Sequence, residues 1–181
     1  PKLLELLGEV IKGTVFDDTR RLKEIIQETR SRMEMVINQS GNMMAMNRLS
    51  SYFSPAGKYT ELNSGISFYH FLSNLERNFE ASSQELVDNL KKASQIIFRK
   101  NSLTAGITLP EEDYGEFARL FGSFADNMPD REIPAAPFEF KEAAENEGLL
   151  TPSKVQYVAK GYSYIRKGYK YSGALQVLRT I

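Results

Sequence analysis

Apolar positions recur at helical steps through most of the first hundred residues. Leu22, Ile26, Thr29, Met33, Val36, Ser40, Met44 and Asn47 follow one another at three- and four-residue intervals and share one helix face. The spacing predicts a single helix from Asp18 to about Tyr52, on the order of 50 Å long at ~1.5 Å per residue, with Asp17 or Asp18 as its N-cap. Gly41 interrupts the pattern at a cost of ~1 kcal/mol relative to alanine, and so marks a bend or a close approach. Ser54-Pro55 closes this helix and opens the next, because serine caps well and proline at the first helical position gives up an N–H that had no partner.

Upstream, Leu3, Leu6, Leu7, Val10 and Ile11 form a short amphipathic helix that ends near Gly13, and Val15 and Phe16 dock on the core. Downstream, Pro55 to Leu62 reads as a short helix and Asn63-Ser64-Gly65 as a break. Phe68, Leu72, Leu75 and Phe79 then define another helix. Ser82 and Glu85 have capping-box spacing ahead of a stripe at Leu86, Leu90, Ala93 and Ile97.

The period then changes. Leu103, Ala105, Ile107 and Leu109 alternate with polar or small residues, as in a strand with one apolar face. Pro110 starts a helix with an aromatic inner face at Tyr114, Phe117, Leu120, Phe121, Phe124 and Met128, which should pack on that strand. From Pro129 to Pro152 periodicity vanishes, and structureless runs of that length are uncommon inside one compact unit. The pattern therefore predicts a domain over 1–128, a linker over 129–152, and over 153–181 the first strand and helix of a second domain. The second strand is Val155 to Gly161, and the final helix carries Ala174, Leu175, Leu178 and Ile181. The expected fold class is α+β, with long helices packed on a small antiparallel sheet.

Chemistry is sparse. The chain has 181 residues, no cysteine and one histidine, His70, which falls between apolar positions and reads as a surface or boundary residue. Disulfides, thiolate chemistry and cysteine-based zinc sites are excluded, and a zinc site built mainly from carboxylates is disfavoured. Basic and acidic residues balance at 23 each, without the basic excess that phosphate binding calls for. No apolar run reaches the ~18–20 residues that span a bilayer.

Several clusters have plainer explanations. Glu111, Glu112 and Asp113 suit the positive end of a helix. Met33, Met35, Met43, Met44 and Met46 could line a soft groove, but methionine is foremost a core filler. Tyr157, Tyr162, Tyr164, Tyr169 and Tyr171, interleaved with Lys160, Arg166, Lys167 and Lys170, could stack on single-stranded RNA, though a tyrosine-rich strand end and turn explains them as well. There is no glycine-rich phosphate loop, nucleophile elbow or Ser/His/Asp set. The first residues start, and the last residues stop, inside amphipathic patterns, as expected of a piece of a longer protein.

Three blocks in order, SYFSPAGKYTELNSGISFYHFLSNLERNF, FRKNSLTAGITLPEED and TPSKVQYVAKGYSYIRKGYKYSGALQVLRTI, resemble the presequence-protease branch of the pitrilysin/insulinase metallopeptidases. The resemblance covers nearly the whole chain. It implies the later part of the third homologous domain and the opening of the fourth, in the non-catalytic C-terminal half of a zinc endopeptidase. Such enzymes are two half-shells closing around a chamber for unfolded peptides. Their zinc motif, an inverted His-x-x-Glu-His, has no match here, since His70 stands in YHFLSNL.

The resemblance thus carries over no catalytic, cofactor-binding or metal residue. Zinc belongs outside this segment, and the segment alone should be inactive. The implied partners are the remainder of the parent chain and a peptide substrate, with neither nucleic acid nor membrane, and the expected compartment is cytoplasmic. The cut edges should make the isolated piece self-associate. The tyrosines between 157 and 171 are candidate chamber-wall residues. The rival reading is a stand-alone α+β protein-interaction module without enzymatic activity.

Overall fold

The computed structural model describes residues 2–141, 143, 146–152 and 154–178. Helices α1 (Lys2–Gly13), α2 (Thr19–Gln39), α3 (Gly41–Ser50), α4 (Pro55–Ser64), α5 (Ile66–Arg77), α6 (Phe79–Ile97), α7 (Glu111–Asp126) and α8 (Gly173–Leu178) follow in order. Single 3₁₀ turns lie at Lys100–Ser102 and Ile165–Lys167. No strand is found among the described residues, which overturns the α+β expectation. The reason is physical. Alternation decides which side each side chain faces, whereas a strand also needs a neighbour's N–H and C=O groups. Neither alternating stretch, 103–109 or 155–161, is part of a strand ladder among the described residues.

The long helix is also divided. Ser40 leaves helical geometry at φ −127° and ψ 41°, so α2 ends and α3 begins at a Ser-Gly pair. The break is a bend, because Ser40 N donates to Val36 O at 2.8 Å and Met44 N to Ser40 O at 3.0 Å on either side of it. Helix α6 starts earlier than the Ser82/Glu85 spacing suggests. Its N-cap is Asn78, and Ser82 lies inside the first turns with its hydroxyl donating to Asn78 O at 2.9 Å. Of the last helix's expected positions, Ile181 lies outside the described residues.

Contacts divide the chain into two compact units, each made of two stretches. The first comprises Pro1–Ile25 and Arg77–Pro137. In it α1 packs along α7, with Gly8 close to the Phe124 ring, and Phe117, Phe121 and Phe124 form a run of ring contacts at 5.7 and 6.2 Å. Phe79 and Val87 of α6, with Ala125 and Met128, are its buried residues. Ion pairs Lys91–Asp17 and Lys100–Asp126, both 2.6 Å, tie its surface.

The second unit comprises Ile26–Glu76 and Phe138–Ile181. Its buried apolar residues are Ile26, Met44, Ile66 and Leu72. Arg30 of α2 reaches Glu76 of α5 at 2.7 Å and Glu34 at 3.0 Å.

Much apolar surface stays uncovered. The accessible area is 14195 Å², against about 8,900 Å² for a compact 20.5 kDa chain and about 10,700 Å² for two separate bodies of half that mass. On α1 the stripe Leu3, Leu6, Leu7 and Val10 is exposed.

Candidate functional site

The most elaborate polar arrangement lies in the second unit and begins with the tight passage from α3 to α4. Ser54 is extended at the N-cap, Pro55 follows it, and Gly57 N donates to Ser54 Oγ at 2.9 Å. A Cβ on Gly57 would sit 2.4 Å from Ser50 O, so a side chain here would force the two helices apart. This close return sets Glu61 of α4 opposite Arg48 of α3.

Glu61 is fully buried. Its Oε1 accepts from Arg48 Nη1 at 3.0 Å and from Ser67 N, in the first turn of α5, at 2.8 Å. The carboxylate therefore satisfies a helix-start N–H and faces the positive end of α5. Gly65 makes room for it, since a Cβ there would lie 2.0 Å from Glu61 Oε2.

Arg48 extends the arrangement to a distant part of the chain. Nη1 also donates to Ser67 Oγ at 2.9 Å. Nε and Nη2 donate to Glu147 Oε2 and Oε1 at 2.7 and 2.8 Å, the bidentate geometry that suits a guanidinium fork. The Tyr52 hydroxyl donates to Glu147 as well, and the Tyr52 ring lies 5.6 Å from the guanidinium. Ala143 N donates to Tyr52 O at 3.2 Å, adding a backbone tie beside the ionic one.

Arg48 foremost, then Tyr52, pushes the Glu147 carboxyl down to about 2. The bond to Glu147 raises Arg48 in return. Burial, followed by the same carboxylate, raises the Tyr52 phenol. Arg48 is held by carboxylates on two sides, so its chemistry here is positioning: it holds Glu147 beside α3, while Nη1 reaches Ser67 of α5.

Beside this hub lies a cleft of about 1500 Å³. Ile37, Met44, Leu49 and Ile66 supply helix-side walls, Tyr157 stands opposite, and the more exposed Tyr162 lies at the rim. The Tyr157 ring occupies the space a Cβ on Gly41 would need, at 2.7 Å, so Gly41 marks both the bend and a close approach. The walls can hold apolar and aromatic groups. Among the described residues no group of three His, Cys, Asp or Glu side chains could hold a metal ion, so zinc does not fit the residues described here.

His70 is exposed on the cleft wall, as a surface histidine should be. Glu111, Glu112 and Asp113 occupy the first turn of α7. Of the methionines, Met44 is core, whereas Met35, Met43 and Met46 are each more than half exposed. Of the wall tyrosines, Tyr157 and Tyr162 line the cleft, while Tyr169 and Tyr171 are exposed without lining it. Sequence reasoning missed the Arg48 hub. Its one available signal was an arginine four residues after Met44, on the inward side of a helix, where a charge needs a partner. No described helix is long and apolar enough to cross a membrane.

The family of regions associated with subfamily C of the M16 peptidases matches residues 1–75. Protein HypA of Clostridium perfringens is 38% identical over 99% of this chain and 18% of its own length. Presequence protease 1, chloroplastic/mitochondrial, of Arabidopsis thaliana is 23% identical over 97% of this chain and 16% of its own length. The mitochondrial presequence protease of Drosophila melanogaster is 26% identical over 87% and 14%. The chain thus spans less than a fifth of the length of these curated relatives. It belongs to the presequence-protease branch of the M16 peptidase family.

Proposed function

We propose that this chain is part of the non-catalytic, C-terminal half-shell of a zinc endopeptidase that encloses and degrades unfolded peptides. The observation that carries this reading is the near full-length match to presequence proteases of which the chain is a small part. The large uncovered apolar area supports it, because a shell segment needs neighbours to cover its faces. On this reading zinc and the catalytic carboxylate are held elsewhere in the parent protein. The hub at Arg48 then keeps the tyrosine-bearing stretch beside the helices, so that the wall does not move when a peptide is held against the distant metal.

The test is to read the coding sequence upstream of residue 1 for an inverted His-x-x-Glu-His motif, and to substitute its glutamate in the parent-length protein. Loss of chelator-sensitive peptide cleavage is expected. An upstream sequence lacking the motif would refute the assignment.

A further inference from the structure

The cleft beside the Arg48 hub lies wholly within the second unit, and at about 1500 Å³ it exceeds the roughly 300–1,000 Å³ of a small-molecule site. Ile37, Met44, Leu49 and Ile66 make its helix side aliphatic. Its charges are one-sided. Lys154, Lys160 and Lys167 line it and are exposed, and Arg166 lines it as well. Among the described lining residues the one carboxylate is Glu147, which Arg48 holds in a bidentate pair. A chain whose charges sum to zero thus gathers cations around this cleft. The Lys160 ammonium lies 5.8 Å from the Tyr162 ring, so basic and aromatic groups meet at the same rim. A concave surface lined by one sign of charge draws the opposite sign toward it.

We propose that this cleft binds an unfolded peptide segment in which aromatic or aliphatic side chains alternate with carboxylates. That the ligand is a peptide rests on the shell reading above, whereas the sequence preference comes from the cleft's own residues. The apolar side chains leave water between Tyr157 and the helix walls. The flanking carboxylates meet the ammonium groups of Lys154, Lys160 and Lys167. Arg48 takes no part, because Glu61 and Glu147 already occupy its fork. A lysine-rich segment would bring like charges together at the rim and is disfavoured. Single-stranded RNA would suit the cations, but the helix side is aliphatic where bases would need aromatic faces.

Fluorescence anisotropy of a labelled Glu-Phe-Glu-Leu-Glu peptide, titrated with the 181-residue chain, reads this preference. A twin peptide with lysine at each glutamate should bind about tenfold or more weakly at low salt, and the gap should narrow as salt screens the rim. A second twin, with serine in place of Phe and Leu, should also bind about tenfold or more weakly, because it has no apolar surface to bury. Lys154→Glu, Lys160→Glu and Lys167→Glu combined should reverse the preference between the acidic and basic peptides. Circular dichroism should be unchanged, since all three side chains are exposed. Equal affinity for the two peptides, binding of neither, or a preference that survives the triple variant would overturn the proposal. So would an oligouridine that binds this chain more tightly than the acidic peptide does. None of these results touches the shell assignment, which is refuted by an upstream sequence lacking His-x-x-Glu-His and not by the cleft's preference.

Discussion

At the scale of single residues, the second unit depends on a charge that has left water. Glu61 has no exposed surface, and Arg48 is its cationic partner. Removing one member of a buried pair strands the other, so Arg48→Met should cost about 3–5 kcal/mol in chemical denaturation. Glu147 behaves differently because about a quarter of its side chain is exposed. Its folded-state pKa is depressed to about 2, so its contribution is complete above the ordinary glutamate range and is lost as pH falls toward about 2. Once solvent screening is allowed for, that contribution is on the order of 2 kcal/mol. Glu147→Gln should remove it and flatten stability between about pH 4.5 and 2. A wild-type-like acid slope in that variant would contradict the assignment. Gly65→Ala should destabilise by more than ~2 kcal/mol, since Glu61 Oε2 fills the Cβ position. Gly115→Ala, in open space on α7, should stabilise by ~0.5–1 kcal/mol.

At the scale of elements, two serines with similar local sequence signals separate what a chain shows from what a structure uses. Ser54 caps α4 as its Ser-Pro spacing implied, and Ser54→Ala should cost ~1 kcal/mol. Ser82 has the spacing of a capping box but lies inside α6, so Ser82→Ala should be neutral within ~0.5 kcal/mol. Equal losses from the two substitutions would invalidate this distinction. Existence and type of the helices were legible because their apolar period is strong. The bend at Ser40 was legible only as the Gly41 anomaly, and the Tyr157 ring that packs against Gly41, more than a hundred positions away, was not legible at all. The two strand expectations failed for a related reason. Leu103–Leu109 and Val155–Gly161 carry the right alternation, but pairing is a property of two segments and cannot be written in one. The Arg48 hub was hidden likewise, its partners Glu61, Ser67 and Glu147 being scattered over a hundred residues.

At the scale of the whole molecule, the excess of exposed surface has a measurable consequence. Unfolding uncovers less new area than it would from a compact body of equal mass, and the denaturant m-value follows that area. From the 14195 Å² of the folded chain, the urea m-value should be about three quarters of that usual for 181 residues. An m-value at the full compact level would mean the apolar faces are already covered.

The central claim, that this chain is shell without chemistry, is tested most directly by measuring zinc content and peptide cleavage side by side for the 181-residue chain and its parent-length protein. The account predicts stoichiometric zinc and chelator-sensitive cleavage of an unfolded peptide in the parent, and neither in the chain. Stoichiometric zinc with cleavage by the isolated chain, or a parent that binds no zinc and cleaves nothing, would contradict it.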